Sequence, residues 1–345
     1  MRKRGEGGLT QIGKISAELG EGRNLIRATR AELQLGFAAA RVRENPNDTE
    51  RAFMVRQLVL CTLPHTDPGD VDAWSRRSGS IALGIQPGVD FDTGQKIGYP
   101  YGTIPRLLMF WTTTEVQRTK NRADMTTLEK RTLQLGSSLD AFMRQIGLNP
   151  DNGSGKRSDA RRLHNQMDRL FSSRIGWVEK HQIGTAEGKE RGTMQVSPRF
   201  ALWWDPKQPR QGSLLQSWVL LSEEFYDALV NNPVPVDMRA LRALKRSPLA
   251  LDLYAWACYQ SFVIVQKRLP AQFVAWEQLR QQFGADYKDP KNFKKKAQGA
   301  VRKIAALYPG LKIGKAKGGF TIHATRLAVP QKPVQKSLDN RSFPG

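Results

Sequence analysis

Two long amphipathic helices, each cationic on the side away from its apolar stripe, constrain the fold of this chain more than any other feature. The first is expected over about 158–173. It carries Leu163, Met167, Leu170 and Phe171 as one stripe, with Arg161, Arg162, Asn165 and Arg169 on the opposite face and Gln166 flanking them. The second is expected from Pro290 to about residue 307. Its stripe is Phe293, Ala297, Val301, Ile304 and Tyr308, and facing away are Lys291, Lys295, Gln298 and Arg302. Lys288 stands just outside this helix, while Lys294, Lys296 and Lys303 lie on its flanks. A helix patterned this way buries one side in a small core and leaves the other for solvent or a ligand.

The surroundings of the two helices follow one order. Ahead of the first come a helix at 105–120 with Pro105 in its first turn, a strand at 131–136, and a short helix from Ser138 to a stop at Gly147. After it, RIGWVEK and TMQV read as strands bracketing the charged turn GTAEGKERG. Ahead of the second come a helix opened by Ser247-Pro248, the short run FVAW, and a helix at 277–283 ended by Gly284. LKIGKAK and FTIHAT then form a hairpin around Gly318-Gly319. Helix, strand, short helix, basic helix, hairpin is the order of a winged helix. The expected architecture is therefore α+β, with two tandem winged-helix domains at 51–231 and 232–328.

Other segments are less regular. Residues 51–63 suit a helix or a strand, 65–74 a loop, 78–85 a strand and 86–102 a long Gly/Pro-rich loop. A strand at 217–221, a helix capped by Ser222 and a helix at 237–246 lie between the two copies. Residues 1–50 read as a basic leader outside the main fold, with a helix at 25–42, and 329–345 as a disordered tail.

Charge narrows the function. Among 345 residues, 54 Lys+Arg oppose 32 Asp+Glu, giving +22. The excess is not uniform: residues 51–100 are balanced, whereas 251–345 hold 17 basic and 5 acidic residues. Such concentration points to a binding face for nucleic acid. The long helices would enter the major groove, where Arg, Lys, Asn and Gln pair with base edges. Lys189 and Arg191 on the first wing tip, and Lys315 and Lys317 on the second, would reach phosphates or a minor groove. Arg157, in the turn before the first basic helix, joins the same set.

A hydrophobic content of 39% excludes global disorder. No apolar run of about 18 residues is evident and the start, MRKRGEGGLT, lacks a secretory core, so no membrane association and a bacterial cytoplasmic location are expected. Cys61 and Cys258 sit in apolar runs and read as buried reduced thiols.

The residues offer no catalytic machinery. His65, His164, His181 and His323 form no close pair for a metal. Gly153-Ser-Gly-Lys156 imitates a P-loop, but Pro150 stands where the pattern needs glycine. Asp151, Glu187 and Lys189 form a nuclease-like string, with Glu187 in an expected turn and Asp151 before a helix, an arrangement ill suited to converge on one cation. Trp203-Trp204 beside strand signals suit a core or interface. A non-enzyme without cofactor or metal is the expectation.

Three stretches resemble plasmid-encoded RepA-type replication initiators: TLPH (62–65) with YGTIPRLLMFWTTTEVQRTK (101–120); LGSSLDAFMRQIGL (135–148) with RRLHNQMDRLFSSRI (161–175); and MRALRALKRSPLALDLYAWACYQ (238–260) with WEQLRQQFGADY (276–287). The family's turn before the first basic helix looks Gly/Thr/Ser-rich, where this chain has DNGSGKRS. The resemblance implies a bacterial protein that binds directly repeated duplex sequences (iterons) at a plasmid origin. It further implies opening of AT-rich DNA, recruitment of the host initiator and replicative helicase, and a homodimeric form that represses its own promoter. The residues also suit a transcriptional repressor, and a DNA-nicking enzyme is the rival of a different class.

Overall fold

The computed structural model describes residues 29–45, 50–151, 155, 158–183, 186–205, 215–231, 233–284, 287 and 289–330. Its first element, α1 (Arg30–Glu44), is closed by a reciprocal cap: the Thr29 hydroxyl accepts from the Glu32 N–H, and the Glu32 carboxylate accepts from the Thr29 N–H. Leu35, Ala39 and Val42 are buried, and the helix packs on α8 (Met238–Leu244) and α11 (Pro290–Leu307). The part of the expected leader from residue 30 onward is thus built into the fold, because its own apolar stripe needs cover.

Next come β1 (Arg51–Val55) and α2 (Arg56–Leu60), so the ambiguous segment is a strand followed by a short helix. β1 pairs antiparallel with β9 (Pro233–Asp237), a strand that the sequence did not suggest. Pro233 and Pro235 lack a donor and stand opposite Val55 and Phe53. The Phe53 N–H finds its acceptor outside the ladder, in the Thr114 hydroxyl at 3.0 Å.

The first half then contains β2 (Trp74–Ser78), β3 (Ile81–Gln86), α3 (Thr103–Thr119), α4 (Thr127–Arg131), β4 (Thr132–Gly136), α5 (Leu139–Gln145) and α6 (Asp159–Phe171). It continues through β5 (Arg174–Ile183), β6 (Ala186–Gln195), β7 (Arg199–Ala201), β8 (Ser217–Leu220) and α7 (Glu223–Asn231). Serine caps fall at the expected positions: Ser138, Ser158 and Ser222 accept from the N–H groups of Ala141, Arg161 and Phe225. The second half adds α8, α9 (Pro248–Gln266), β10 (Gln272–Ala275), α10 (Trp276–Phe283), α11, β11 (Leu311–Ala316) and β12 (Gly319–Ala324).

Sheet pairing distinguishes the halves. The second has the three-stranded order β10–β12–β11, so the strand before the short helix joins the hairpin that follows the basic helix. In the first, the hairpin β5–β6 joins β3 and β2, while β4 pairs with β8 and, through it, β7. The elements recur in order, but their partners do not. The expected turn GTAEGKERG is also mostly strand. β5 runs to Ile183 and β6 begins at Ala186, so Lys189 and Arg191 lie along an extended arm and not at its tip.

The buried residues form one continuous cluster through both halves, with α9 at its centre. By length and composition α9 could cross a bilayer, contrary to the expectation of no such run, yet it is mostly buried inside the fold. It carries one charged residue, Asp252, at the heart of a polar clasp. Arg106 of α3, 1% exposed, donates from Nε and Nη2 to the two Asp252 carboxylate oxygens at 2.8 and 2.9 Å. Its remaining donors reach the Thr62 hydroxyl and the carbonyls of Leu63, Pro64 and Gly102. His65 Nε2 lies 2.8 Å from Asp252. Burial pushes the Asp252 carboxyl up, but Arg106 and His65 outweigh it and hold it at about 2. The clasp and the β1–β9 ladder both cross the expected boundary at 231/232.

Cys61 and Cys258 are buried free thiols; burial pushes the first up to about 11 and the second higher still. Trp204 is buried, stacked on Phe142 and bonded to the Gly136 carbonyl, while Trp203 is exposed.

Candidate nucleic-acid interface

α11 starts with Asp289, whose carboxylate accepts from the Lys291 N–H at 2.8 Å, and with Pro290 in the first turn. Phe293, Ala297, Val301, Ile304 and Tyr308 are buried as its spacing requires. Lys291, Lys294, Lys295, Gln298 and Arg302 are exposed, together with Lys296 and Lys303. Among the described residues, none of these cations makes an ion pair.

The hairpin β11–β12 stands beside this helix. Lys317 and Gly318 (φ +77°) form its tip, and Lys315 and Lys317 are both exposed. Gly319 is dictated by packing: a Cβ there would lie 2.1 Å from the Val274 carbonyl oxygen, which would block the pairing of β12 with β10. Between helix and hairpin runs a groove of about 820 Å³. Its walls include Trp276, Val301 and Phe320, and its rim includes Lys294, Gln298, Arg302 and Lys315, with Arg43 from α1. The sequence did not bring Arg43 to this place, because it was assigned to a detached leader.

α6 keeps only part of its expected face. Leu163, Met167, Leu170 and Phe171 are fully buried. Arg162 and Asn165 are exposed and Arg161 half-buried, with Arg162 paired to Asp159 one turn earlier at 3.1 Å. Arg169 does not belong with them. Its guanidinium pairs with Asp67 at 2.8 Å, donates to the Tyr99 carbonyl and lies over the Tyr101 ring at 5.3 Å. Gly98 (φ +101°) makes this possible, since a Cβ there would come within 2.9 Å of the guanidinium carbon. Gln166 is also buried and accepts from the Tyr101 N–H. The loop between β3 and α3, together with Asp67, covers the last turn of α6, which leaves its first two turns open.

Lys189 and Arg191 are exposed on β6, opposite Lys180 and Val178. Arg157 and Lys288 lie outside the described residues. Of the nuclease-like string, Asp151 lies 3.5 Å from Arg144, and Glu187 stands on β6 opposite Gln182. Burial lowers the basicity of His164 and raises the carboxyl of its neighbour Asp168. Among the described residues no three His, Cys, Asp or Glu side chains are grouped to hold a metal ion.

The fold and these surfaces define an α+β protein that presents two cation-bearing helices, the second with no ion pair to its exposed cations among the described residues. Residues 99–278, more than half of the chain, match the family described as plasmid-encoded RepA protein, and the chain belongs to that family. The matched stretch includes α6 and ends in α10, before α11 begins. No curated protein matches the chain. Among solved structures, the selenomethionine derivatives of domains 2 and 3 of RctB are similar over 77% of this chain and 97% of theirs, at 11% identity and a TM-score of 0.44.

Proposed function

We propose that this protein is a plasmid replication initiator that binds repeated duplex sequences at its origin through its two basic helices, the second of them in a winged-helix unit. The observation that carries the reading is the exposed cluster Lys291, Lys294, Lys295, Gln298, Arg302, Lys315 and Lys317, without an ion pair to any described residue, in a chain of the plasmid RepA family. The sheet order β10–β12–β11 is that of a winged helix and supports α11 as the helix laid in a major groove. The open first turns of α6, with Arg161, Arg162 and Asn165, would serve a neighbouring groove; the N-terminal end of a recognition helix is the part that meets base edges. Arg157 and Lys288, flanking the two helices, extend the proposed contact.

Binding would open adjacent AT-rich DNA by deformation, which costs least at flexible steps. The host initiator and replicative helicase then join the opened origin. The same contacts at its own promoter, made by a homodimer, would repress transcription. The protein acts in the bacterial cytoplasm by binding and not by catalysis.

The test is selection of bound sequences from random duplexes, followed by footprinting on the parent plasmid's origin. Recovery of one sequence that recurs there as direct repeats, with protection spanning about two helical turns, is expected. A footprint well under one turn, or no sequence preference, would defeat the proposal. Supercoiled origin DNA incubated with protein and Mg²⁺ is expected to stay closed; nicked circles would identify an enzyme instead.

A further inference from the structure

The four-stranded sheet β2–β3–β5–β6 sorts its side chains by face. One face carries Trp74, Leu83, Ile85, Ile175 and Met194, all buried. Farther out along the arm that same face turns acidic, with Glu179 opposite Glu190 and His181 3.4 Å from Glu190. The opposite face has no buried residue. Exposed on it are Arg77, Arg174, Lys180, Lys189 and Arg191.

The register fixes their layout. Arg77, Ala82, Val178 and Arg191 form one row across all four strands. The next row is Ser75, Gly84, Gly176 and Thr193, a floor of glycine edged by hydroxyls. On the other side of the first row, Lys180 stands directly opposite Lys189. Like charges directly opposite each other destabilise a sheet. Here they persist with no ion pair to any described residue, and Glu187 is the one acid of this face within the described strands. Three strand spacings separate Arg77 from Arg191, about 14 Å. That is close to the opening of a DNA major groove, about 12 Å. No aromatic ring lies on this face of the described strands, so it lacks the stacking platform that single strands use.

We propose that this open sheet face is a second contact surface for duplex DNA, holding phosphates on both sides of a groove beside the sequence read by the helices. The inference rests on the DNA-binding function proposed above and adds a surface to it. It also gives Lys189 and Arg191 a place on a flat face, where the sequence suggested a wing tip.

The experiment compares the full-length protein with its triple variant Arg77→Gln, Lys180→Gln, Lys189→Gln on a selected duplex between 50 and 200 mM salt. Each lost phosphate contact should reduce the slope of log K against log salt by about 0.9, so the triple variant should lose up to about 2.7. Base preference should be unchanged, since phosphates carry no sequence information. Lys189→Gln alone, expected to lower the slope by about 0.9, covers the case in which the triple variant fails to fold. An unchanged slope and affinity in both would overturn the inference. If Lys295→Ala alters selectivity meanwhile, the DNA reading survives and only the sheet surface falls. Absence of any duplex binding by the parent protein would remove both.

Discussion

Arg169 and Lys295 stand on equivalent faces of their helices, away from the apolar stripe, yet they meet different fates. Lys295 is exposed, whereas Arg169 is held by Asp67, Tyr99 and Tyr101. Helical periodicity tells which side faces away from the helix's own core. It does not tell which distant loop returns to cover that side. Arg169→Ala should lower stability by about 1 kcal/mol through loss of its partly exposed contacts and leave base preference intact. Thermal unfolding beside a sequence-selection assay checks both halves of that statement. Nothing local to Arg106 or Asp252 marks them as partners, since they lie 146 positions apart and their role emerges only from shared burial. Asp252→Asn leaves a buried guanidinium without its counter-charge and should cost about 3–5 kcal/mol, measured by chemical denaturation. Because Arg106 and His65 hold the folded carboxyl at about 2, below its ordinary 3.8, it favours the folded state once the pH exceeds about 4. That contribution disappears as pH falls through 2, so the acid limb of the parent protein should be steeper than that of Asp252→Asn.

At the scale of elements, helices were more legible than strand partners. Caps at Ser138, Ser158, Ser222 and Ser247, and the stop at Gly284, are local chemistry within a few residues. Pairing is not local. β8 separates β4 from β7, and nothing in TLQLG or SWVL announces that partner. β9 is not legible locally because Pro233 and Pro235 argue against a strand and its partner β1 lies far away in the chain. The glycines and charges of the arm β5–β6 resemble a turn, whereas the pairing of its two strands runs on past the edge of β3 to Ile183 and Ala186. The two basic helices make separable predictions. Lys295→Ala and Arg162→Ala should each cost about 1–3 kcal/mol against the preferred duplex and relax the choice at one base pair. Uniform weakening across all sequences would instead make these side chains phosphate anchors.

At the scale of the molecule, net charge and architecture act together. With a net charge of +22 and exposed cations on both helices and on the sheet face, about six to ten phosphates should be neutralised on binding. Affinity should then fall by about 10³–10⁵-fold between 50 and 200 mM salt, read by fluorescence anisotropy. The sequence conveyed this electrostatic character and the general α+β plan, since both follow from composition and periodicity. It did not convey that the halves are fused, because the Arg106–Asp252 clasp and the β1–β9 ladder join residues far apart in the chain.

That fusion has a metrical consequence. Two readers on a flexible tether could each find their own mark wherever it fell, whereas two readers cast in one block work as a fixed gauge. Adding about 5 bp between the two recognised blocks, half a turn of the duplex, would carry the second block to the far side of the helix, beyond the gauge's reach. Adding a full turn would restore its facing but not its distance, so binding should fail there too.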